Sequence, residues 1–337
     1  MKLGLGMPAN ILENEDNLKF ARQLSCESIV AWCPLPPGDG FWTLDELRGL
    51  KDHINRFDLE LAAIENFPRE HWHRILLDRP GKEEQMENLK KTIRNMGKAG
   101  IPCMGYYFGL AGVWGHWRQC DQGGGRGDAG YKSFDYERVK DAPAIPVNEV
   151  WGGPIPDDGL EGTLGEVTLD EMWGRIQFFL ENLIPVAEEE GVRLAAHPDD
   201  PPVPTLRKTA RLLTSHDAYR KLTELVPSQA NALEFCQGTV AEMGQDIYDA
   251  IRYFGERDQI CYVHFRNVRG DFPTDFDEVF IDEGDVNMIK AMQIYKEVGF
   301  EGTMIPDHSP RVTCQEPWHA GMAFALGYMR AAMQMVS

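Results

Sequence analysis

Residues 193–202 read R-L-A-A-H-P-D-D-P-P. A short apolar run ends on His197. Two Asp and two Pro then stop it, because Pro201 and Pro202 force extended backbone and Asp favours turns. The pattern is that of a buried strand delivering a ligand-type side chain at its end. Three later segments repeat it: LEFCQG with Cys236, CYVHFRNV with His264 and MIPDH with Asp307. Successive members are separated by the length of one strand, one helix and their loops. Four ligand-type residues on four consecutive strand ends point to one metal centre at the mouth of a barrel.

Working outward, strands are expected at 2–7, 28–32, 60–66, 103–108, 193–198, 232–237, 260–268 and 302–308. Helices are expected between them, at 14–23, 43–55, 82–98, 168–190, 216–225, 246–254, 285–298 and 318–335. Thr43 is a plausible N-cap, and Gly100, Gly191, Gly255 and Gly299 act as stops. This repeated alternation predicts an α/β fold, a (β/α)8 TIM barrel forming a single domain over 1–337. A doubly wound sheet is the competitor, but no G-x-G-x-x-G follows the first strand and no P-loop pattern occurs. The stretch 110–166 lacks periodicity and contains GGGRGDAG with several Pro and Trp. It is expected to be a long loop or lid over the active face.

With 34 Lys and Arg against 53 Asp and Glu, the net charge is −19. That argues against partnership with nucleic acid or an anionic membrane surface. A local metal and a few Arg can still admit an anionic small substrate. The seven Cys are odd in number and lack short paired spacings. No apolar run reaches transmembrane length, and the chain opens directly on a strand. A cytoplasmic protein with reduced thiols is expected.

Each candidate has a bland alternative. A lone His in a strand is more often structural, and Cys236 taken alone is an ordinary core residue. The four together argue for a first-row transition metal, since imidazole, thiolate and carboxylate suit zinc, ferrous iron or manganese better than calcium. Asp199 and Asp200 read either as support or substrate contacts or as turn formers. Arg266, two residues after His264, would share its strand face and grip a carboxylate, or else be a surface Arg. His308 is the first choice for general acid or base, against a structural hydrogen bond. Glu65 and Asn66 end strand three, and Tyr106 and Tyr107 end strand four, as plausible pocket groups. His71, Trp72 and His73 read as a substrate-facing loop. Trp114, Trp117 and Trp151 read as sugar-stacking rings or loop packing.

The stretches TIRNMGKAGI, IPVAEEEGVRLAAHPDDPPVP, LEFCQGT, VHFRNV, IDEGDVNM and MIPDH, in this order, resemble the mannonate dehydratase family over most of the chain. The resemblance implies a TIM barrel similar to xylose isomerase and a carbon–oxygen lyase converting D-mannonate to 2-keto-3-deoxy-D-gluconate. It implies metal ligands at His197, Cys236, His264 and Asp307 and a catalytic His at His308. It favours manganese, with ferrous iron or zinc as alternatives, and a homo-oligomer is expected. The chain departs from the family in reading Asp307-His308-Ser309-Pro310-Arg311 where D-H-G-R is usual. It also reads WHAGMAFALGYMR where the family has a Tyr-rich segment; His319 stands nearby as the replacement acid or base. Arg266, Asp199, Glu65 and Tyr106 are the expected substrate contacts. The alternative is a metal-dependent isomerase, epimerase or eliminase acting on a related sugar.

Overall fold

The computed structural model describes residues 1–119 and 121–336, so Cys120 in the long segment and the last residue of the expected domain lie outside the described residues. Eight parallel strands close into a barrel: β1 (Lys2–Pro8), β2 (Ser28–Trp32), β3 (Glu60–Glu65), β4 (Cys103–Tyr106), β5 (Arg193–Ala196), β6 (Asn231–Cys236), β7 (Ile260–His264) and β8 (Thr303–Ile305). Each strand pairs with its chain neighbours and β8 returns to β1, the order of a (β/α)8 barrel.

The helices start where the chemistry puts them. Thr43 and Thr168 each form a reciprocal capping box, with Glu46 and Glu171 respectively, opening helices Leu44–Asn55 and Leu169–Glu189. Asn14 caps Glu15–Gln23 through its side chain. Gly100 takes a left-handed conformation to end Lys82–Ala99, a position a side chain resists. Among the described residues, no helix is long and apolar enough to cross a membrane.

The barrel lumen is filled by one side chain from each of six strands: Val30, Ala63, Cys103, Ala195, Tyr262 and Ile305. A Cβ at Gly105 would collide with the Tyr262 hydroxyl and with Glu234, so only glycine leaves room for those groups inside β4.

Three expectations need correction. His71, Trp72 and His73 lie in helix Arg69–Leu77, not in a loop, and all three are buried. The expected strand 260–268 breaks after His264, and a hairpin of Asn267–Asp271 and Asp275–Val279 follows. The long segment is not wholly irregular, because Lys132–Asp135 adds to that hairpin as a third antiparallel strand. Its Trp residues serve packing: the Trp151 ring meets Trp72 and Tyr107, and Trp114 meets the Arg207 guanidinium. The Trp151 indole donates to the Gly109 carbonyl at 2.6 Å, and Trp117 lies between the guanidinium groups of Arg118 and Arg138.

Candidate metal centre

The C-terminal ends of β5, β6 and β7 bring His197, Cys236 and His264 together, with one ligand atom of each within 4.8 Å of the others. Cys236 pairs in register with His264, so the parallel ladder itself places thiol and imidazole side by side. His197 Nδ1 is 2.7 Å from the Pro198 carbonyl oxygen. A carbonyl only accepts, so Nδ1 carries the proton and Nε2 keeps a lone pair for a metal.

Asp307 follows β8. Its Oδ2 lies 3.7 Å from His264 Nδ1 and 3.4 Å from His308 Nε2. Its φ of 64° is left-handed, a conformation uncommon outside glycine and often found at functional sites. His264 Nε2 faces inward, 3.1 Å from Glu234 Oε1 and 3.3 Å from Glu65 Oε2.

The electrostatics suit a cation. Burial opposes a charge on His197, but Glu234 and Cys236 outweigh it and push the imidazole up to about 10. Burial likewise opposes the Cys236 thiolate, yet Arg266, His197 and His264 hold the thiol well below its ordinary value. Asp307 is also held below the usual carboxylate range, as His308, His264 and Arg266 overcome its burial. Burial, then Glu65, pushes the Glu234 carboxyl up to about 8. Both nitrogens of His264 and both oxygens of Glu234 are buried without a hydrogen-bond partner. Orphaned donors and acceptors around a buried thiolate are costly as they stand, and a divalent ion supplies the charge they lack. The residues therefore fit a thiolate-, imidazole- and carboxylate-bound metal.

The remaining expected residues divide. Glu65 reaches the cluster and His308 adjoins it through Asp307. Tyr106 points the other way: it is fully buried against Phe179 of the surrounding helix, ring centroids 5.0 Å apart. Asp199 is committed to the fold. It accepts from the Tyr107 hydroxyl and from the amides of Leu212 and Leu213, and pairs with Arg211 at 3.1 Å. Arg266 is buried rather than open to substrate. Its Nη2, Nη1 and Nε lie 2.8, 2.9 and 3.3 Å from Asp200, Glu242 and Asp307. It follows β7 and does turn toward the cluster through Asp307, but its guanidinium is already engaged by carboxylates. His319 belongs to the outer helices: Nε2 is 2.9 Å from Asn17 Oδ1, and the ring packs on Phe20 and Trp318.

Sequence reasoning missed four residues. Glu234 was within reach, because it precedes Cys236 by two positions and so shares its face of β6. Glu278, Lys132 and His116 carried no such signal. Glu278 Oε2 is 2.7 Å from His308 Nε2, Lys132 Nζ is 3.2 Å from the same nitrogen, and His116 Nε2 is 3.2 Å from Glu278 Oε1.

Residues 13–333 match the family described as D-mannonate dehydratase (UxuA). Mannonate dehydratase of Geobacillus thermodenitrificans is 31% identical over 337 residues, covering 93% of this chain and 88% of that protein. Mannonate dehydratase 2 of Halalkalibacterium halodurans is 28% identical over 280 residues, covering 80% of this chain and 79% of that one. The crystal structure of mannonate dehydratase from Streptococcus suis serotype 2 superposes with a TM-score of 0.81 at 24% identity, covering 100% of this chain and 93% of the other. A xylose isomerase domain protein from Planctomyces limnophilus shares the barrel at a TM-score of 0.62 and 11% identity, covering 99% of this chain and 97% of the other. A match of that span, shared by relatives along nearly their whole length, makes the chain a member of the D-mannonate dehydratase family, whose enzymes are hydro-lyases.

Proposed function

We propose that the protein dehydrates D-mannonate to 2-keto-3-deoxy-D-gluconate at a divalent metal held by His197, Cys236, His264 and Asp307. The observation that carries this reading is the convergence of His197, Cys236 and His264 around unpaired buried nitrogens, in a chain of this family. Manganese is the preferred ion, with ferrous iron or zinc as alternatives.

When bound, the metal supplies positive charge that stabilises the negative charge developing next to the sugar-acid carboxylate. The chain's own residues do the rest. His197 and His264 enter as neutral ligands, the other ring nitrogen of His197 being held by the Pro198 carbonyl oxygen. His308 lies at the rim of the cluster, about a quarter exposed, where it can exchange a proton with the substrate. Loss of water removes the C2 proton and the C3 hydroxyl, and the resulting enol becomes the ketone. His308 serves one of those two transfers. Glu65, partly open at the end of β3, is placed to accept from a sugar hydroxyl.

A cytoplasmic homo-oligomer completes the reading; its described cysteines are all free thiols. The deciding experiment loads the protein with manganese, supplies D-mannonate and assays 2-keto-3-deoxy acid. Product supports the assignment. One equivalent of bound metal with no product means that the substrate is a different sugar acid.

A further inference from the structure

The metal cluster lies at the C-terminal end of the barrel, and two cysteines meet at the opposite end. Cys103 opens β4 and Cys261 is the second residue of β7. Strands β5 and β6 stand between these two, yet the thiols hydrogen-bond across the lumen, Sγ to Sγ 2.7 Å. Cys103 belongs to the lumen layer, and Cys261 packs against that layer. Simple alternation would not put Cys261 there, because its neighbour Tyr262 already faces the lumen. The ladder supplies the reason. Leu233 of β6 pairs with Ile260 and Glu234 pairs with Tyr262, so Cys261 is the extra residue where the register shifts. An extra residue of this kind re-aims its side chain, and here it turns Cys261 toward Cys103.

The pair is reachable from solvent. Both cysteines line a cavity of about 550 Å³ whose walls include the exposed residues Asn55, Glu60 and Glu301. The two sulfurs are also unequal. The Cys103 hydrogen bond, with Arg193 at the cavity wall adding to it, holds the Cys261 thiol below its ordinary value against its burial. Burial pushes Cys103 well above its own. Burial also pushes Cys26 and Cys33 up to about 12, which leaves them poor nucleophiles. Two facing thiols suit either a soft metal or a covalent bond. Two thiolates on one tetrahedral zinc stand about 3.8 Å apart, given a Zn–S bond of about 2.3 Å. A disulfide brings its sulfurs to about 2.05 Å. The 2.7 Å separation is nearer the disulfide, and a metal would have to push the sulfurs apart. Among the described residues, the groups able to hold a metal do not include this pair.

We propose that Cys103 and Cys261 form an oxidisable dithiol, which a peroxide converts to a reversible disulfide across the barrel floor. The Cys261 thiolate attacks one oxygen of hydrogen peroxide. The O–O bond breaks, Cys261 becomes a sulfenic acid and hydroxide leaves. The Cys103 sulfur then attacks the Cys261 sulfur. The S–S bond forms, the S–O bond breaks, and the oxygen departs as water with the Cys103 proton. The hydroxide takes up the proton that Cys261 shed. Two thiols are thus oxidised to one disulfide while one peroxide is reduced to two waters. A small dithiol reverses the change by thiol–disulfide exchange. Neither step uses the metal cluster, so the site is independent of the dehydration proposed above.

The test treats wild type, C103S and C261S with hydrogen peroxide and maps their cysteine peptides without reduction. The protein is loaded with zinc, which has no redox chemistry of its own. The exposed Cys314 serves as the internal control. Wild type is expected to give a peptide linking Cys103 to Cys261 at peroxide levels that leave Cys314 a thiol, and dithiothreitol should restore both thiols. C103S lacks the resolving sulfur and is expected to hold a sulfenic acid at Cys261 that dimedone traps. C261S should give neither the link nor the trapped adduct at Cys103. A wild-type pair that stays reduced while Cys314 is oxidised overturns the proposal. So does a link that joins either cysteine to a different thiol. Should a variant not fold, the wild-type map alone decides.

Discussion

Glu234 Oε1 lies 3.1 Å from His264 Nε2, between neighbouring strands β6 and β7. The contact turns the other ring nitrogen, Nδ1, toward Asp307. A carboxylate behind a ligating imidazole fixes its orientation and raises its basicity. Glu234→Gln is therefore expected to weaken metal binding about 10- to 100-fold while leaving the ligand set intact. Chelator competition measures this directly. Unchanged affinity would mean that His264 is oriented by Glu65 alone, or binds through the other nitrogen.

The metal-free protein has a pH dependence whose sign follows from two groups. His197 is pushed up to about 10 from its ordinary 6.5, so its contribution is complete below 6.5 and lost as pH rises through 10. Cys236 is held well below its ordinary 9.0, so its contribution is complete above 9 and lost as pH falls through the folded value. Between 6.5 and 9 the two slopes cancel, because folded and unfolded states hold the same number of protons on the pair. Stability should fall on both sides of that plateau. Metal binding needs a neutral His197 and removes the alkaline fall. Melting of chelator-treated wild type against His197→Asn, from pH 5 to beyond 10, isolates the effect; a difference that keeps rising past pH 10 contradicts it.

These relationships show what the chain makes legible. A ligand-type residue at the end of a short apolar run is a local pattern, and β5, β6 and β7 end on or next to His197, Cys236 and His264 as that pattern requires. Alternation on a strand also contained Glu234. Lys132 and Glu278 were hidden for a different reason. Their meeting depends on a ladder between a segment without periodicity and a hairpin far along the chain, and nothing local encodes that register. Tyr106 was misplaced by strand parity: Gly105 faces the lumen, so its neighbour must face the helices. Arg266 reaches the cluster through Asp307, but its engagement by Asp200 and Glu242 joins segments that no local pattern links.

Asp199 provides a case where a site-like motif serves the fold. Its carboxylate accepts the Tyr107 hydroxyl at 2.9 Å and two backbone amides at 2.8 Å, and lies beside the buried Arg211. Removing one partner of such a buried pair leaves an uncompensated charge, at a cost of about 3–5 kcal/mol. Asp199→Asn should lower the melting temperature by several degrees and leave kcat of the folded, metal-loaded enzyme unchanged. A fall in kcat without a fall in stability would return Asp199 to the substrate site.

His319 and His308 separate in the same way, with opposite outcomes. His319 is held by Asn17 at 2.9 Å and by the edges of Phe20 and Trp318, all in the outer helical layer. His308 touches Asp307 and Glu278 at the metal cluster. His308→Asn should cost about 10²- to 10⁴-fold in kcat, the range for a lost acid/base group, with metal content retained. His319→Ala should cost about 1 kcal/mol of stability through its lost hydrogen bond and packing, and leave kcat near wild type. Parallel kinetics and melting on the two variants tell these apart. If His319→Ala loses kcat as deeply as His308→Asn while melting normally, then His319 must leave Asn17 when substrate binds. The start of helix Pro317–Val336 would then have to shift toward the barrel mouth for the imidazole to reach the sugar.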